Sequence, residues 1–243
     1  MVVFGKNPVR EALNSETTIE KLLVEKGNYD ASLNALISNA KDLGVFVSFV
    51  DKAFLDKTAE GGRHQGIIAI TTEFNYCDVS DILERAKERN ENLLIVLLDG
   101  ITDPHNLGAI MRSAECFGAH GIVIPRHRAC GVNSTVLKIS AGAAEHLLVA
   151  KVTNINDTIR QLKEQNVWVY ATDFDGESLF SAKLDGDAAI VIGNEGEGIK
   201  RLTKELCDST VTIPQFGKVA SLNASVATGV VLYECARQRT KKK

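Results

Sequence analysis

Long hydrophobic runs are missing from this 243-residue chain. No apolar segment approaches the ~20 residues that span a bilayer, which argues against a membrane protein. The five cysteines (Cys77, Cys116, Cys130, Cys207, Cys235) are odd in number and scattered, with no C-x-x-C pair. That argues against both a disulfide framework and a zinc site. The five histidines also lack ligand spacing, so no metal is expected. Charge of one sign is missing too. The formal net charge is -3, so bulk charge does not announce a nucleic-acid partner. Local basic groups exist all the same: Arg126-His127-Arg128, Lys200-Arg201 with Lys204, and the tail from Arg237 to Lys243. Each alone reads equally well as a solvated face or a frayed end. Met1 leads almost directly into Phe4-Gly5-Lys6-Asn7-Pro8, so no signal peptide is visible and a reducing cytoplasm is the expected compartment.

The common nucleotide and hydrolase fingerprints are absent as well. There is no G-x-x-x-x-G-K-[ST], which excludes a P-loop, and no G-x-S-x-G elbow. Gly193-Asn194-Glu195-Gly196-Glu197-Gly198 is glycine-rich, but its spacing is not G-x-G-x-x-G, and it lies late in the chain. That makes a dinucleotide-binding reading weak. No internal repeat is present.

Hydrophobic residues make up 44% of the chain and charged residues 24%, the balance of a globular protein with room for one large or two ordinary domains. Residues 1–74 read as a small α/β unit. Its strand candidates are Ile19–Val24, Val45–Val50 and Ile67–Ile70, with helical stretches Pro8–Leu13 and Ala31–Leu43. Residues 75–90 are polar and partly helical, and read as a linker. From 91 to 243 the character changes. Leu93–Leu98 is a continuous apolar run, the signature of a strand buried on both faces. Similar runs at Gly121–Ile124, Leu147–Ala150, Val167–Ala171, Ala188–Ile192 and Thr210–Ile213 alternate with helical segments, the last of them Ala224–Arg237. This alternation predicts an α/β fold with a parallel sheet covered on both faces.

Three segments of this second part carry the chemistry. They are Asp103–Ala114 with Asn106-Leu107-Gly108 and Arg112, Ile190–Ile199 with Gly193-Asn194-Glu195-Gly196, and Ile213–Ala227 with Ser221-Leu222-Asn223 and Ser225. Each is a small-residue loop that bears polar side chains and joins an apolar run to a helical segment. Three such loops in one domain predict a ligand edge on the sheet. A plain reading stands beside each. Gly193 and Gly196 also suit a tight turn, Leu222 a core and Arg112 a surface helix. Glu195 suits the start of a helix near Gly198, and Asn106, Ser221 and Asn223 suit helix caps.

In order and spacing these segments resemble the three motifs of the SpoU/TrmH (SPOUT) family, RNA ribose 2'-O-methyltransferases that use S-adenosylmethionine. Phe4-Gly5, Val9–Leu13 and His64-Gln65-Gly66 resemble the N-terminal domain, L30e/L7Ae-like, of the branch that methylates a guanosine in the peptidyl-transferase region of 23S ribosomal RNA. The resemblance implies a deep trefoil knot in the C-terminal domain, a homodimer with shared active sites, and an RNA partner with no membrane and no metal. It implies donor binding by Gly193, Gly196, Ile192, Ile213 and Leu222. It implies catalytic or substrate-facing roles for Arg112, Asn106, Glu195, Ser221 and Asn223. Gln215, Phe216 and Ala224 depart from the residues usual beside the donor pocket. Residues 1–75 hold eight Lys and Arg against ten Asp and Glu, so RNA binding there would rest on shape and local contacts such as Arg63, His64 and Gln65. The alternatives are the same chemistry on transfer RNA or another ribosomal site, and a non-catalytic RNA-binding or ribosome-assembly factor.

Overall fold

A computed structural model of the chain describes residues 1–15, 17–27, 29–218 and 221–240. Val219 and Ala220 of the third motif and the lysines 241–243 lie outside the described residues. The chain divides into two compact units, one of Met1–Asn75 with Gly131–Ser134, the other of Tyr76–Cys130 with Thr135–Lys243.

The first unit runs β1 (Val2–Phe4), α1 (Lys6–Asn14), β2 (Thr18–Glu25), α2 (Ala31–Asp42), β3 (Val47–Val50), α3 (Lys52–Thr58) and β4 (Ile67–Thr72). Among the described residues its strands form one sheet in the order β1-β4-β2-β3, with β2 and β3 parallel and β4 antiparallel to both β1 and β2. Side chains alternate across a strand. Leu22 and Val24 therefore join α1 and α2 in one core through Val9, Leu13, Leu36 and Ala40, while Leu23 faces Leu55 and Ala59 on the other side. Asp30 caps α2 by accepting from the Leu33 amide at 2.8 Å. The short elements β1 and α3 carry no periodic signal of their own in the sequence.

The second unit begins inside the stretch read as a linker. Cys77 pairs with the strand at Ala150, and α4 (Val79–Glu88) places Ile82 and Ala86 in the core. Only two apolar positions of that helix are buried, which is why its sequence looks polar. There follow β5 (Leu94–Asp99), α5 (Pro104–Cys116), β6 (Gly121–Pro125), α6 (Ser134–Ile139), β7 (Leu148–Val152), α7 (Ile155–Glu164), β8 (Trp168–Ser178), β9 (Ala188–Gly193), α8 (Arg201–Leu206), β10 (Ser209–Thr212) and α9 (Ala224–Thr240). Among the described residues the six strands are all parallel, in the order β10-β8-β9-β5-β6-β7. Every residue of β5 is buried. Strand order reverses beside β5, between β6 and β9, so the loops leaving β5 and β9 diverge and leave a crevice at the carboxyl ends of the strands. No helix among the described residues is long and apolar enough to cross a membrane.

Candidate active site

The site grows from the turn that ends β5. Asp99 is buried, accepts from the Lys200 backbone amide at 3.1 Å and pairs with Lys200 Nζ at 2.9 Å. The next residue, Gly100, sits at φ +88°, a left-handed conformation that glycine adopts without strain. Asp103 caps α5 through the His105 amide at 2.9 Å, and Pro104 occupies the first turn. The helix thus opens two residues before Asn106, and Asn106 is released from capping. Gly108 serves packing instead of a ligand: a Cβ there would lie 2.8 Å from Ile139.

The buried Asn106 joins the three motif loops. Its Nδ2 donates to Glu195 Oε1, and its Oδ1 accepts from Asn223 Nδ2 at 2.9 Å. The orientation is self-consistent, because a carboxylate accepts only and so faces the amide nitrogen. Asn223 Oδ1 in turn accepts from the Ser225 amide at 2.9 Å and from Ser225 Oγ at 2.6 Å. Asn223 therefore caps α9 and bridges to α5 at once. Glu195 caps no helix; α8 starts only at Arg201, and the carboxylate is committed to Asn106.

The loop after β9 is closed on itself. The Asn194 amide donates to Gly198 O at 3.1 Å, the Gly198 amide to Asn194 O at 2.9 Å, and the Gly196 amide to Asn194 Oδ1 at 2.8 Å. Asn194 Nδ2 also donates to Gly100 O at 2.7 Å, tying this loop to the end of β5. A Cβ on Gly193 would lie 2.2 Å from the Gly198 carbonyl carbon, so this position admits only glycine. Gly196 has far more room, with its nearest neighbour, Asn194 Oδ1, at 3.4 Å.

Behind this loop lies a cavity of about 500 Å³ at the carboxyl ends of β8, β9 and β10. Ile192, Gly193, Glu195, Gly196, Ile213, Ser221 and Leu222 all border it, with Gln215 and Ala224 among the rest of the wall. Leu222 is 40% exposed, so it belongs to this wall and not to the core. Thr172, Asp173 and Phe174 of β8 contribute as well. Sequence reasoning missed these three, because the end of β8 reads as an unpatterned polar stretch. The volume is ordinary for a small-molecule site. Apolar side chains for flat rings, irregular backbone with amide and carbonyl groups, and carboxylates at the margin suit a ligand that combines an adenine, a ribose and a cationic sulfonium.

Arg112 stands apart. Six residues beyond Asn106, it lies roughly 9 Å along α5 and ~120° around it. Its side chain is exposed, and among the described residues that side chain has no hydrogen bond or ion pair. In the first unit, His64 is buried with both ring nitrogens engaged, accepting from the Gly66 amide at 3.0 Å and meeting Asp56 Oδ1 at 2.9 Å. Gln65 Oε1 accepts from the Lys6 amide at 3.0 Å. His64 and Gln65 thus brace a turn, and of the three residues expected to touch RNA only Arg63 is uncommitted among the described residues.

All five cysteines are free, and burial pushes the thiols of Cys130, Cys207 and Cys235 up to about 12, so these three are no nucleophiles at neutral pH. No group of His, Cys, Asp and Glu among the described residues could hold a metal ion.

Comparison with known proteins places the chain among RNA methyltransferases. The SpoU rRNA Methylase family matches residues 93–233, and the RNA 2'-O ribose methyltransferase substrate-binding family matches residues 2–77. YacO of Bacillus subtilis, named for TrmH family tRNA/rRNA methyltransferases, is 43% identical over 98% of this chain and 95% of its own. The 23S rRNA (guanosine-2'-O-)-methyltransferase RlmB of Neisseria meningitidis is 41% identical over 99% of this chain and 96% of its own. The crystal structure of the SpoU methyltransferase AviRb from Streptomyces viridochromogenes in complex with AdoMet superposes with a TM-score of 0.64. It is 25% identical and covers 99% of this chain and 91% of that one.

Proposed function

The chain belongs to the SpoU rRNA methylase family, and from that premise we propose that it transfers a methyl group from S-adenosylmethionine to the ribose 2'-hydroxyl of a guanosine in 23S ribosomal RNA. The observation that carries the reading is the hydrogen-bonded chain Glu195–Asn106–Asn223, which binds the three motif loops into one site beside the cavity. A relative named for this reaction at 41% identity over nearly the whole chain supports the substrate. The N-terminal unit, matched over residues 2–77, supports the ribosomal branch over a transfer-RNA one.

S-adenosylmethionine, when bound, supplies a methyl on a sulfonium whose positive charge disappears as the bond breaks. Gly193, Gly196, Ile192, Ile213 and Leu222 would hold it, Gly193 by letting the loop close on the Gly198 backbone and Gly196 by leaving the backbone open to close approach. Asn106 spends one N–H on Glu195 and one lone pair on Asn223, which leaves one N–H and one lone pair for the substrate ribose. Glu195 and Asn223 position that amide, and Ser221 offers its hydroxyl from the cavity wall. Arg112 grips the phosphate beside the target nucleotide in a bidentate contact and so aligns the hydroxyl for in-line attack. A guanidinium is a very poor base, so the hydroxyl proton leaves with the help of that phosphate.

The same reading includes a homodimer, the family's trefoil knot and a cytoplasmic setting. Val226, Val230 and Tyr233 recur at helical spacing on α9, and each is exposed, at 52%, 37% and 58%. An apolar stripe of that kind on a helix suits a second copy of the chain. Calorimetric titration with S-adenosylmethionine tests the function, together with mapping of 2'-O-methylation in ribosomal RNA from cells lacking the protein. Absence of donor binding at millimolar concentration would sink the enzyme and leave a non-catalytic RNA-binding factor.

A further inference from the structure

The carboxyl edge of the parallel sheet is electrically divided. On the cavity side, the ends of β8 and β9 carry Asp173, Asp175, Glu177, Glu195 and Glu197. Lys204 answers only part of that charge, pairing with Asp173 at 2.7 Å and with Asp175. On the other side of β5 the sign reverses. Arg126-His127-Arg128 follow β6, and Lys151 lies near the end of β7 with its ammonium 4.8 Å from the Tyr76 ring centroid. Neighbouring strands are ~4.8 Å apart, so the basic side spans ~10 Å from β5 to β7.

The β6–α6 turn is fastened to the site. The Cys130 amide donates to Ile101 O at 2.8 Å, and Arg128 O lies 3.9 Å from where a Gly100 Cβ would stand. Gly100 is the residue whose carbonyl Asn194 braces at 2.7 Å. One short stretch, Gly100–Ile101, thus anchors the cavity loop on one side and the basic turn on the other. Arg128 holds φ +56°, a left-handed conformation uncommon for a residue with a side chain. Its side chain is exposed, and among the described residues neither Arg128 nor His127 has a hydrogen bond or ion pair. A strained backbone, an uncommitted guanidinium and a rigid link to the reacting end of the sheet occur together here.

We infer that the turn 126–128 is a phosphate contact for the RNA strand next to the target nucleotide, with Arg128 as the gripping group. The inference rests on the RNA-methylating reading above and adds the direction of the strand. RNA enters across β5, β6 and β7, away from the acidic donor side, which would repel its backbone. Contacts of this kind position the substrate and carry no base preference.

The test is fluorescence polarisation of a labelled 23S ribosomal RNA transcript with the full-length protein over a series of salt concentrations. Arg128→Asn removes the charge with a residue that tolerates left-handed backbone, and Arg128→Gln is the second charge-removing variant. Both should lose about fivefold in affinity at low salt and lower the salt slope by roughly one, while Arg128→Lys keeps the slope. Equal donor titrations and equal melting temperatures show that the fold is intact. Wild-type affinity and slope in both charge-removing variants, beside a wild type that methylates RNA, overturn this inference alone. A wild type that binds donor and no RNA overturns both readings.

Discussion

At the scale of the residue, the site separates side chains that hold one another from one that waits for substrate. Asn106, Glu195 and Asn223 are mutually bonded, whereas Arg112 is exposed with no partner among the described residues. Removing Arg112 costs no internal contact. Arg112→Ala should therefore abolish methylation and leave the melting temperature and donor affinity near wild type. Loss of donor affinity with intact chemistry would overturn the role assigned to it. A second residue, His120, governs stability at the opposite edge of the sheet. It is 1% exposed, and its Nδ1 accepts from the Leu94 amide at 3.0 Å. Burial pushes its pKa down against the opposing pull of Glu91, whose carboxylate lies 3.4 Å from Nε2. Protonation would also set an N–H against the Leu94 amide. The unfolded chain takes up that proton first as pH falls below about 6.5, so stability is full above that pH and declines beneath it. Melting curves from pH 8 to 5 should show this decline in the wild type and a flatter profile in His120→Asn, which keeps an acceptor but does not titrate. Identical profiles would exclude His120 as the source.

At the scale of the element, two glycines of one loop are equivalent in sequence and unequal in space. Gly193 ends β9 against the Gly198–Ile199 backbone, where a Cβ has no room, while Gly196 borders only the Asn194 side chain. Gly193→Ala should destabilise by ~1–3 kcal/mol, the cost of forcing backbone apart, and should lose donor binding. Gly196→Ala should fold like the wild type. Paired thermal melts and donor titrations check both, and a tolerant Gly193 would mean that the loop is free to shift. Helix α9 shows the same contrast between pattern and place. Its inner face buries Thr228, Val231, Leu232 and Cys235, yet Val226, Val230 and Tyr233 remain exposed on the outer one. A helix apolar on two faces shows no single apolar stripe in sequence, so its pattern reveals the helix but not which face is buried.

At the scale of the whole molecule, that outer stripe bears on assembly. Light scattering should find a dimer, and Val230→Asp, which buries a charge if a second copy packs there, should yield monomers with much reduced methylation. A wild type that is monomeric and fully active would exclude shared active sites.

Much of this architecture is legible in the chain itself. The continuous apolar runs of β5, β6 and β9 announce strands buried on both faces, and their alternation with helices implies a parallel sheet, because only a helical crossover returns the chain in the same direction. The three motif segments are readable for the same local reason: loops with small residues must stand where strands end. Local patterning could not say which polar residue bonds to which. Asn106 and Glu195 are 89 positions apart, and Asn106 and Asn223 are 117 apart. Their meeting is decided by strand order, which places β9 next to β5 and docks α9 on α5. Tertiary packing likewise turned Asn106 from a candidate cap into a bridge, fixed His64 and Gln65 as braces, and drew α4 out of a linker into the core. In each case a long-range contact satisfies a polar or apolar group that its sequence neighbours leave unsatisfied, and burial makes that satisfaction obligatory.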